Sequence, residues 1–146
     1  MCGQKDSLFR EVAKKFFRKS DVLAIQKFFP TTFDWRVGVL NDEVLYVCKY
    51  MIPKGRWKHG AKLRGKPTVI WGRTVSMKKQ NSPMKLRKVA LDACKVVGKG
   101  LYGVDIKEVD GDYLVVEVND NPSIYAGYED LRDRDIYARI IQHLTE

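Results

Sequence analysis

Three oxygen-bearing side chains late in the chain have the types and spacing of a site for a hard metal ion. Glu117 and Asn119 alternate on one predicted strand and therefore share a face. Asp105 lies on the preceding predicted strand, and a three-residue loop at 110–112 with a bulge would pair it directly with Glu117. A two-residue turn would instead pair Asp105 with Val116, on the wrong face. We predict the three-residue loop, which brings two carboxylates and a carboxamide into one patch suited to Mg²⁺; an ordinary solvated sheet face is the alternative.

Charged side chains also alternate on an earlier predicted hairpin, whose turn lies at Asn41–Asp42. A two-residue turn pairs Asp34 with Lys49 across the hairpin. The same register pairs Arg36 with Val47, so that Arg36 shares the face of that ion pair. Because a guanidinium binds phosphate oxygens through two parallel hydrogen bonds, this face could hold an anion. A simple cross-strand ion pair is the alternative.

The charge of the chain is divided between its two ends. The 146 residues carry a formal net charge of +9, yet residues 1–100 hold 23 basic and 7 acidic residues, and residues 101–146 hold 4 and 11. A basic stretch attracts phosphates, whereas an acidic segment can hold a cation. Together they suggest a site for an anion with its metal, such as a nucleotide with magnesium.

Composition excludes several other classes of protein. Hydrophobic residues make up 45% and aromatic residues 11% of the chain, which argues against intrinsic disorder. No apolar run approaches the roughly 20 residues of a membrane helix, and the N-terminus lacks the apolar core of a secretory signal. Cys2, Cys48 and Cys94 are scattered, which disfavours a disulfide framework or a zinc knuckle. We therefore expect a soluble, reduced, cytoplasmic protein without membrane contact.

Nucleic-acid binding is the rival function. Trp57 and Trp71 lie among the basic residues between Lys54 and Arg73, where stacking and phosphate contacts would bind a single strand. This function gives no role to the predicted metal ligands, and we therefore favour the metal and nucleotide site over it.

Periodicity predicts the elements that position these residues. Apolar stripes at helical spacing predict helices at 7–18, 82–97 and 132–144. Alternating or branched apolar runs predict strands at 22–29, 34–40, 43–51, 101–109 and 113–119. Residues 53–81 form a long basic loop that contains a short strand at 69–71. The order predicts a single α+β domain, with a mostly antiparallel sheet and packed helices.

Several segments, taken together, resemble the RimK-like branch of the ATP-grasp superfamily of carboxylate–amine ligases. They are Ile25–Phe29, Asp34–Val37, Gly103–Asp105, Glu117–Pro122 and Ala126–Asp130. Their order and spacing match over about residues 20–146. The resemblance implies the ATP-grasp C-terminal subdomain at 20–146 and an N-terminal helix at 1–19, the remnant of a preceding half.

The resemblance also implies roles for individual residues. The implied ligands of Mg²⁺, with Mn²⁺ as an alternative, are Asp105, Glu117 and Asn119. The implied catalytic residues are Arg36, which would contact phosphate, and Lys49. The implied neighbours of ATP are Gln26, Lys27, Phe28, Phe29, Asp34 and Arg36. The implied border of the substrate pocket includes Arg64, Asn121 and Pro122.

The chemistry implied by the resemblance is ATP-dependent amide formation. A carboxylate of an amino acid, peptide or protein attacks the γ-phosphate of ATP, and an amine then displaces phosphate from the acyl phosphate. Two departures from the family pattern stand out: Lys27 replaces the hinge glutamate, and residues 1–19 contain no glycine-rich phosphate loop. We therefore expect an incomplete grasp, or alternatively a non-catalytic remnant that binds a nucleotide, a partner subunit or a second copy.

Overall fold

The computed structural model describes residues 2–56, 58–62 and 69–145. The helices are α1 (Cys2–Phe17), α2 (Met84–Val97) and α3 (Ile136–Thr145). The strands are β1 (Phe33–Leu40), β2 (Glu43–Met51), β3 (Gly60–Lys62), β4 (Val69–Trp71), β5 (Thr74–Met77), β6 (Leu101–Val109) and β7 (Asp112–Asn119). Two 3₁₀ turns occupy Lys79–Asn81 and Glu129–Arg132.

Five of the strands form one antiparallel sheet in the order β5-β2-β1-β6-β7, and β3 and β4 form a separate hairpin. Helix α2 covers one face of the large sheet through the main core cluster, which includes Trp35, Val37, Leu86, Ala90, Val104 and Ile106. A second cluster joins the sheet to α3 and includes Leu40, Leu45, Tyr46, Cys48 and Ile136. This architecture confirms the predicted α+β fold with a mostly antiparallel sheet.

The predicted strand at 22–29 is wrong. Residues 18–32 form neither helix nor strand, and Val22, Ile25 and Phe28 are exposed. The apolar composition of this segment suggested a buried strand, but no strand in the described part of the chain pairs with it. Composition alone therefore could not define its structure. Within the long basic loop, the short strand at 69–71 is confirmed, whereas β3 and β5 were not predicted.

The register of the first hairpin differs from the predicted one. The two-residue turn is present, but a bulge between Gly38 and Val39 leaves Leu45 of β2 without a partner on β1. Arg36 consequently pairs with Cys48 instead of Val47.

The same shift moves Lys49 away from Asp34. Lys49 pairs with Trp35, and its ammonium lies 4.2 Å from the ring centre of Phe33 and 4.5 Å from that of Trp35. Asp34 pairs with Tyr50. The predicted face shared by Asp34, Arg36 and Lys49 is therefore wrong, because one unpaired residue turns Lys49 to the α2 side of the sheet.

The second hairpin also differs in its turn, yet it preserves the important pair. Asp110 and Gly111 form a two-residue turn with positive φ angles of 53° and 81°, typical of a type I′ hairpin, so the predicted three-residue loop is wrong. A bulge between Asp105 and Ile106 leaves Val116 unpaired and restores the pairing of Asp105 with Glu117. Alternation had predicted that Leu114, Val116 and Val118 share one face of the sheet. The bulge prevents this arrangement.

The two described cysteine side chains are buried as free thiols. Burial raises the pKa of the Cys48 thiol to about 12 and that of Cys94 to about 11. Because the thiolate is the reactive form, we expect iodoacetamide at pH 8 to alkylate both residues slowly in the folded protein and rapidly in guanidinium chloride. Peptide mass spectrometry measures this difference. Rapid modification of either residue in the folded chain would contradict it.

Candidate functional site

An open cleft of about 920 Å³ lies on the face of the large sheet opposite α2. Its floor consists of polar and charged side chains of β1, β2 and β6: Asp34, Arg36, Tyr50, Asp105 and Lys107. One wall consists of residues 26–29, another of residues 114–117, and a third of Lys58, His59, Gly60 and Trp71 from the region of the β3–β4 hairpin. The cleft thus brings together the predicted nucleotide segment, the predicted phosphate ligand and two predicted metal ligands.

The central contact of the cleft is a two-pronged ion pair between Arg36 and Asp105, which face each other across β1 and β6. Arg36 Nε donates to Asp105 Oδ1 at 2.6 Å, and Nη2 donates to Oδ2 at 2.8 Å. The two side chains are only 12% and 21% exposed. Burial acts to lower the pKa of Arg36, but Asp105, together with Tyr50 and Tyr46, outweighs burial, and the pKa is raised. The guanidinium is therefore permanently charged.

Asp105 also faces a second carboxylate, that of Glu117. Burial raises the pKa of Asp105, Arg36 opposes the rise, and the neighbouring carboxylates of Glu117 and Asp34 add to it. A carboxylate in such surroundings is stabilised by any additional cation.

Asn119 completes a set of ligands that fits a hard cation. Its Nδ2 donates to Glu117 Oε1 at 3.3 Å, which leaves the amide oxygen for another partner. Two carboxylates and one carboxamide suit an ion that keeps water or phosphate oxygens among its ligands, as Mg²⁺ does. The described side chains contain no group of three or more His, Cys, Asp or Glu residues that would bind a metal without such additional ligands.

A second ion pair lies two residues further along the same face. Lys107 Nζ donates to Asp34 Oδ1 at 2.6 Å and to Thr31 Oγ1 at 2.7 Å. Thr31 Oγ1 in turn donates to Asp34 Oδ1 at 2.9 Å. Asp34 is therefore already neutralised by a lysine that had no predicted role, although alternation placed Lys107 on the face of Asp105.

Gly103 allows Arg36 and the loop after β7 to approach each other. A Cβ atom on Gly103 would lie 2.7 Å from Arg36 Nη1 and 2.7 Å from the Cβ of buried Pro122. Glycine is therefore required here for space. Pro122, predicted to border the substrate pocket, is buried beside Gly103 and is not one of the described residues that line the cleft.

Two stacked rings, those of Tyr50 and His59, lie next to the Arg36 guanidinium. The Tyr50 ring centre lies 5.3 Å from Arg36 Cζ, and the His59 ring stacks on Tyr50 at 4.6 Å. His59 Nδ1 lies 3.0 Å from the carbonyl oxygen of Met51, which can only accept, so this nitrogen carries the proton. Glu129, only 2% exposed, accepts from the Tyr50 hydroxyl at 2.5 Å. Tyr50 was not predicted from the sequence because of the register shift.

The remaining predicted residues divide into three groups. Gln26 reaches the cleft and donates to the carbonyl oxygen of Val116 at 3.3 Å, while the Lys27 ammonium lies 4.8 Å from the Phe29 ring centre. Asn121 is exposed and is not one of the described residues that line the cleft. Arg64 lies outside the described residues.

A family model for the RimK-like ATP-grasp domain matches residues 21–144. The chain belongs to the RimK-like ATP-grasp family. A probable alpha-L-glutamate ligase of Stutzerimonas stutzeri (strain A1501) is 31% identical over 113 residues, or 77% of this RimK-like chain. A probable alpha-L-glutamate ligase of Ectopseudomonas mendocina (strain ymp) is 27% identical over 92% of the chain. The chain spans only 34% and 42% of the lengths of these two relatives.

Solved ATP-grasp ligases share the fold of this RimK-like chain. The D-alanine–D-alanine ligase of Bacillus anthracis matches with a TM-score of 0.65 at 14% identity, over 94% of this chain and 46% of the ligase. The ATP-grasp ligase PsnB, in a structure with a precursor variant, Mg and ADP, matches with a TM-score of 0.52 at 23% identity over 78% of this chain and 34% of PsnB. Among the described residues, no helix is long and apolar enough to cross a membrane.

Proposed function

We propose that this RimK-like chain provides the metal- and phosphate-binding part of an ATP-dependent carboxylate–amine ligase. The observation that supports the proposal is the position of Asp105, which pairs with Glu117 on one side and with Arg36 on the other in a single cleft. The family membership supports the use of ATP. We further propose that residues 20–146 form the C-terminal subdomain of the grasp and that the helix within 1–19 belongs to its preceding half.

The proposed reaction proceeds through an acyl phosphate. A substrate carboxylate oxygen bonds to the γ-phosphorus as the bond to ADP breaks. The amine nitrogen then bonds to the acyl carbon, phosphate leaves with the electron pair of the C–O bond, and the nitrogen loses a proton. Asp105, Glu117 and Asn119 would hold Mg²⁺, which would neutralise phosphate charge. Arg36 would orient phosphate oxygens and stabilise the charge that develops on them.

Lys27, in the proposed hinge beside the nucleotide, should affect how the site binds ATP. Lys27, whose ammonium lies near the Phe29 ring, offers hydrogen-bond donors only. It therefore cannot accept a hydrogen bond from a ribose hydroxyl, as a glutamate would. Because every ribonucleoside triphosphate carries these hydroxyls, we expect Lys27 to give a lower affinity for ATP than a hinge glutamate would give.

The substrates and partners follow from charge and exposure. The relatives named as glutamate ligases make glutamate, free or within a peptide or protein, the first substrate to test as carboxylate or amine donor. Leu8, Phe9 and Phe16 of α1 are exposed, so a second copy or a partner subunit could cover this helix. The buried free thiols agree with the cytoplasmic location that we propose.

Calorimetric titration with a non-hydrolysable ATP analogue and Mg²⁺ tests the proposal. We expect magnesium-dependent binding that Glu117→Gln weakens by about tenfold, which corresponds to roughly 1.4 kcal/mol. Asp112→Asn is the matched control, because it removes one charge from the exposed turn end of the same strand, where Asp112 pairs with Lys85. The control variant should bind like the wild type.

Two outcomes oppose the proposal. Equal binding of the Mg²⁺–analogue complex by the wild type and Glu117→Gln would show that the proposed metal site has no part in nucleotide binding. Affinity for RNA that falls steeply with salt, together with no affinity for the analogue, would favour the nucleic-acid function instead.

A further inference from the structure

The ion pair between Arg36 and Asp105 occupies a carboxylate that the proposed metal site needs. Both oxygens of Asp105 accept hydrogen bonds from the guanidinium, at 2.6 and 2.8 Å. A divalent ion must bind through at least one of these oxygens, and it would then lie close to a positive charge that is only 12% exposed. Arg36 and the metal therefore compete for Asp105.

Arg36 has few other anions to which it could move. The Asp34 carboxylate is held by Lys107 and Thr31, both at less than 3 Å. The Glu129 carboxylate accepts from the Tyr50 hydroxyl and from a backbone amide. The carboxylates of Asp34 and Glu129 are thus already engaged, and Glu117, which also lines the cleft, is itself a proposed metal ligand. The natural alternative partner for the guanidinium is therefore an anion that enters from solvent.

A phosphate group is the anion that best replaces Asp105. Its oxygens accept the same pair of parallel hydrogen bonds that a carboxylate accepts. The Tyr50 ring, whose centre lies 5.3 Å from Arg36 Cζ, can keep the guanidinium within the cleft when it changes partner.

We propose that Arg36 is a positioning residue that withholds Asp105 from the metal until a polyphosphate binds. This inference rests on the proposed function, because it needs the metal site at Asp105. Entry of the polyphosphate draws Arg36 away, releases the carboxylate oxygens and so completes the set of metal ligands. Metal and nucleotide then bind with positive coupling, and each raises the affinity of the other by the same factor.

Manganese binding measured by electron paramagnetic resonance tests the inference without any enzymatic turnover. In the absence of nucleotide, we expect Arg36→Met to bind Mn²⁺ at least about fivefold more tightly than the wild type, the lower end of typical coupling between sites. Arg36→Lys keeps the charge but cannot donate two parallel bonds, and it should show a smaller gain. A purely structural role for Arg36 predicts the opposite, a loss of metal affinity.

Nuclear magnetic resonance of the arginine Nε–H groups gives a second readout on the unaltered chain. We expect the metal-free ATP analogue to shift the Arg36 signal towards its position in Asp105→Asn, in which the pair is weakened. The Arg139 signal, which reports an ion pair with Glu43 on the surface, is the internal reference and should stay unchanged. This readout remains available if the Arg36 variants fail to fold.

The outcomes separate the inference from the proposed function. If the wild type binds the Mn²⁺–analogue complex, but Arg36→Met gains no affinity for Mn²⁺ alone or the Arg36 signal ignores the analogue, the inference is overturned and the function stands. If no combination of metal and analogue binds the wild type, both are overturned.

Discussion

Gly103→Ala should both destabilise the protein and disable the cleft. The new Cβ would lie 2.7 Å from Arg36 Nη1 and 2.7 Å from Pro122 Cβ, so at least one of them must move. Forcing an additional methyl group into a packed region costs about 1–3 kcal/mol. If Arg36 moves, the proposed phosphate contact would lose a charged hydrogen bond worth about 1.5–3 kcal/mol, which corresponds to roughly tenfold to a hundredfold in affinity.

Two measurements check this prediction: urea denaturation for stability and calorimetric titration for binding of the Mg²⁺–analogue complex. Gly111→Ala is the control, because Gly111 has a positive φ angle of 81° but open space around its Cβ position. This control should lose about 1–2 kcal/mol of stability through backbone strain and should bind normally. Wild-type affinity in Gly103→Ala, or equal losses of affinity in both variants, would sink the prediction.

Glu129→Gln should cause a large loss of stability for a change of one atom. The buried carboxylate accepts from the Tyr50 hydroxyl at 2.5 Å and from the backbone amide of Tyr125 at 2.8 Å. Burial and this hydrogen bond raise the pKa of Tyr50, so the phenol stays a neutral donor. A carboxamide has a single oxygen acceptor and leaves one buried donor unpaired, at a cost of about 1–3 kcal/mol.

The melting temperature should therefore fall by roughly 5 °C, as differential scanning calorimetry can show. Glu108→Gln is a matched substitution, because Glu108 is exposed and its carboxylate accepts a hydrogen bond from the Trp35 indole nitrogen at 3.0 Å. Its amide oxygen can still accept this bond, so its melting temperature should stay within about 2 °C. A double-mutant cycle with Tyr50→Phe should give a coupling of at least about 0.5 kcal/mol. Additive effects would show that the hydrogen bond contributes nothing specific.

The central carboxylate pair of the site was predicted from the sequence, although its local geometry was not. The pairing of Asp105 with Glu117 was predicted correctly, although from a loop that the protein does not form. The compact Asp110–Gly111 turn suits its positive φ angles, and the unpaired residue moves into the strand instead. The prediction of the pair therefore depended on counting one unpaired residue between the two strands, which the prediction placed in the loop and the protein places at Val116 within β7.

Prediction failed where packing decides the register. Leu45 is fully buried in the cluster with Ile136, and this burial stabilises the bulge that moves Lys49 to the other face. Alternation along β2 cannot reveal this bulge, because the contact that stabilises it involves a helix about ninety residues later in the chain. Tyr50 was missed for the same reason, because the shift places it opposite Asp34 on the cleft face. The ordinary period of a strand assumes an uninterrupted ladder.

In each of the two hairpins that form the cleft floor, the bulge determines whether the number of residues between two paired positions is odd or even. Arg36 and Cys48 are twelve positions apart, as are Asp105 and Glu117, so an odd number of residues lies between the members of each pair. A two-residue turn needs an even number, and each hairpin meets the requirement by leaving one residue out of the ladder. Removal of the unpaired residue would straighten the strand and keep the charged faces, although loss of Leu45 would also take a fully buried side chain from the second core cluster. Removal of a paired residue, with the bulge kept, would turn charged side chains towards α2. Apart from loss of the unpaired residue itself, homologues should therefore gain or lose residues in these hairpins in twos.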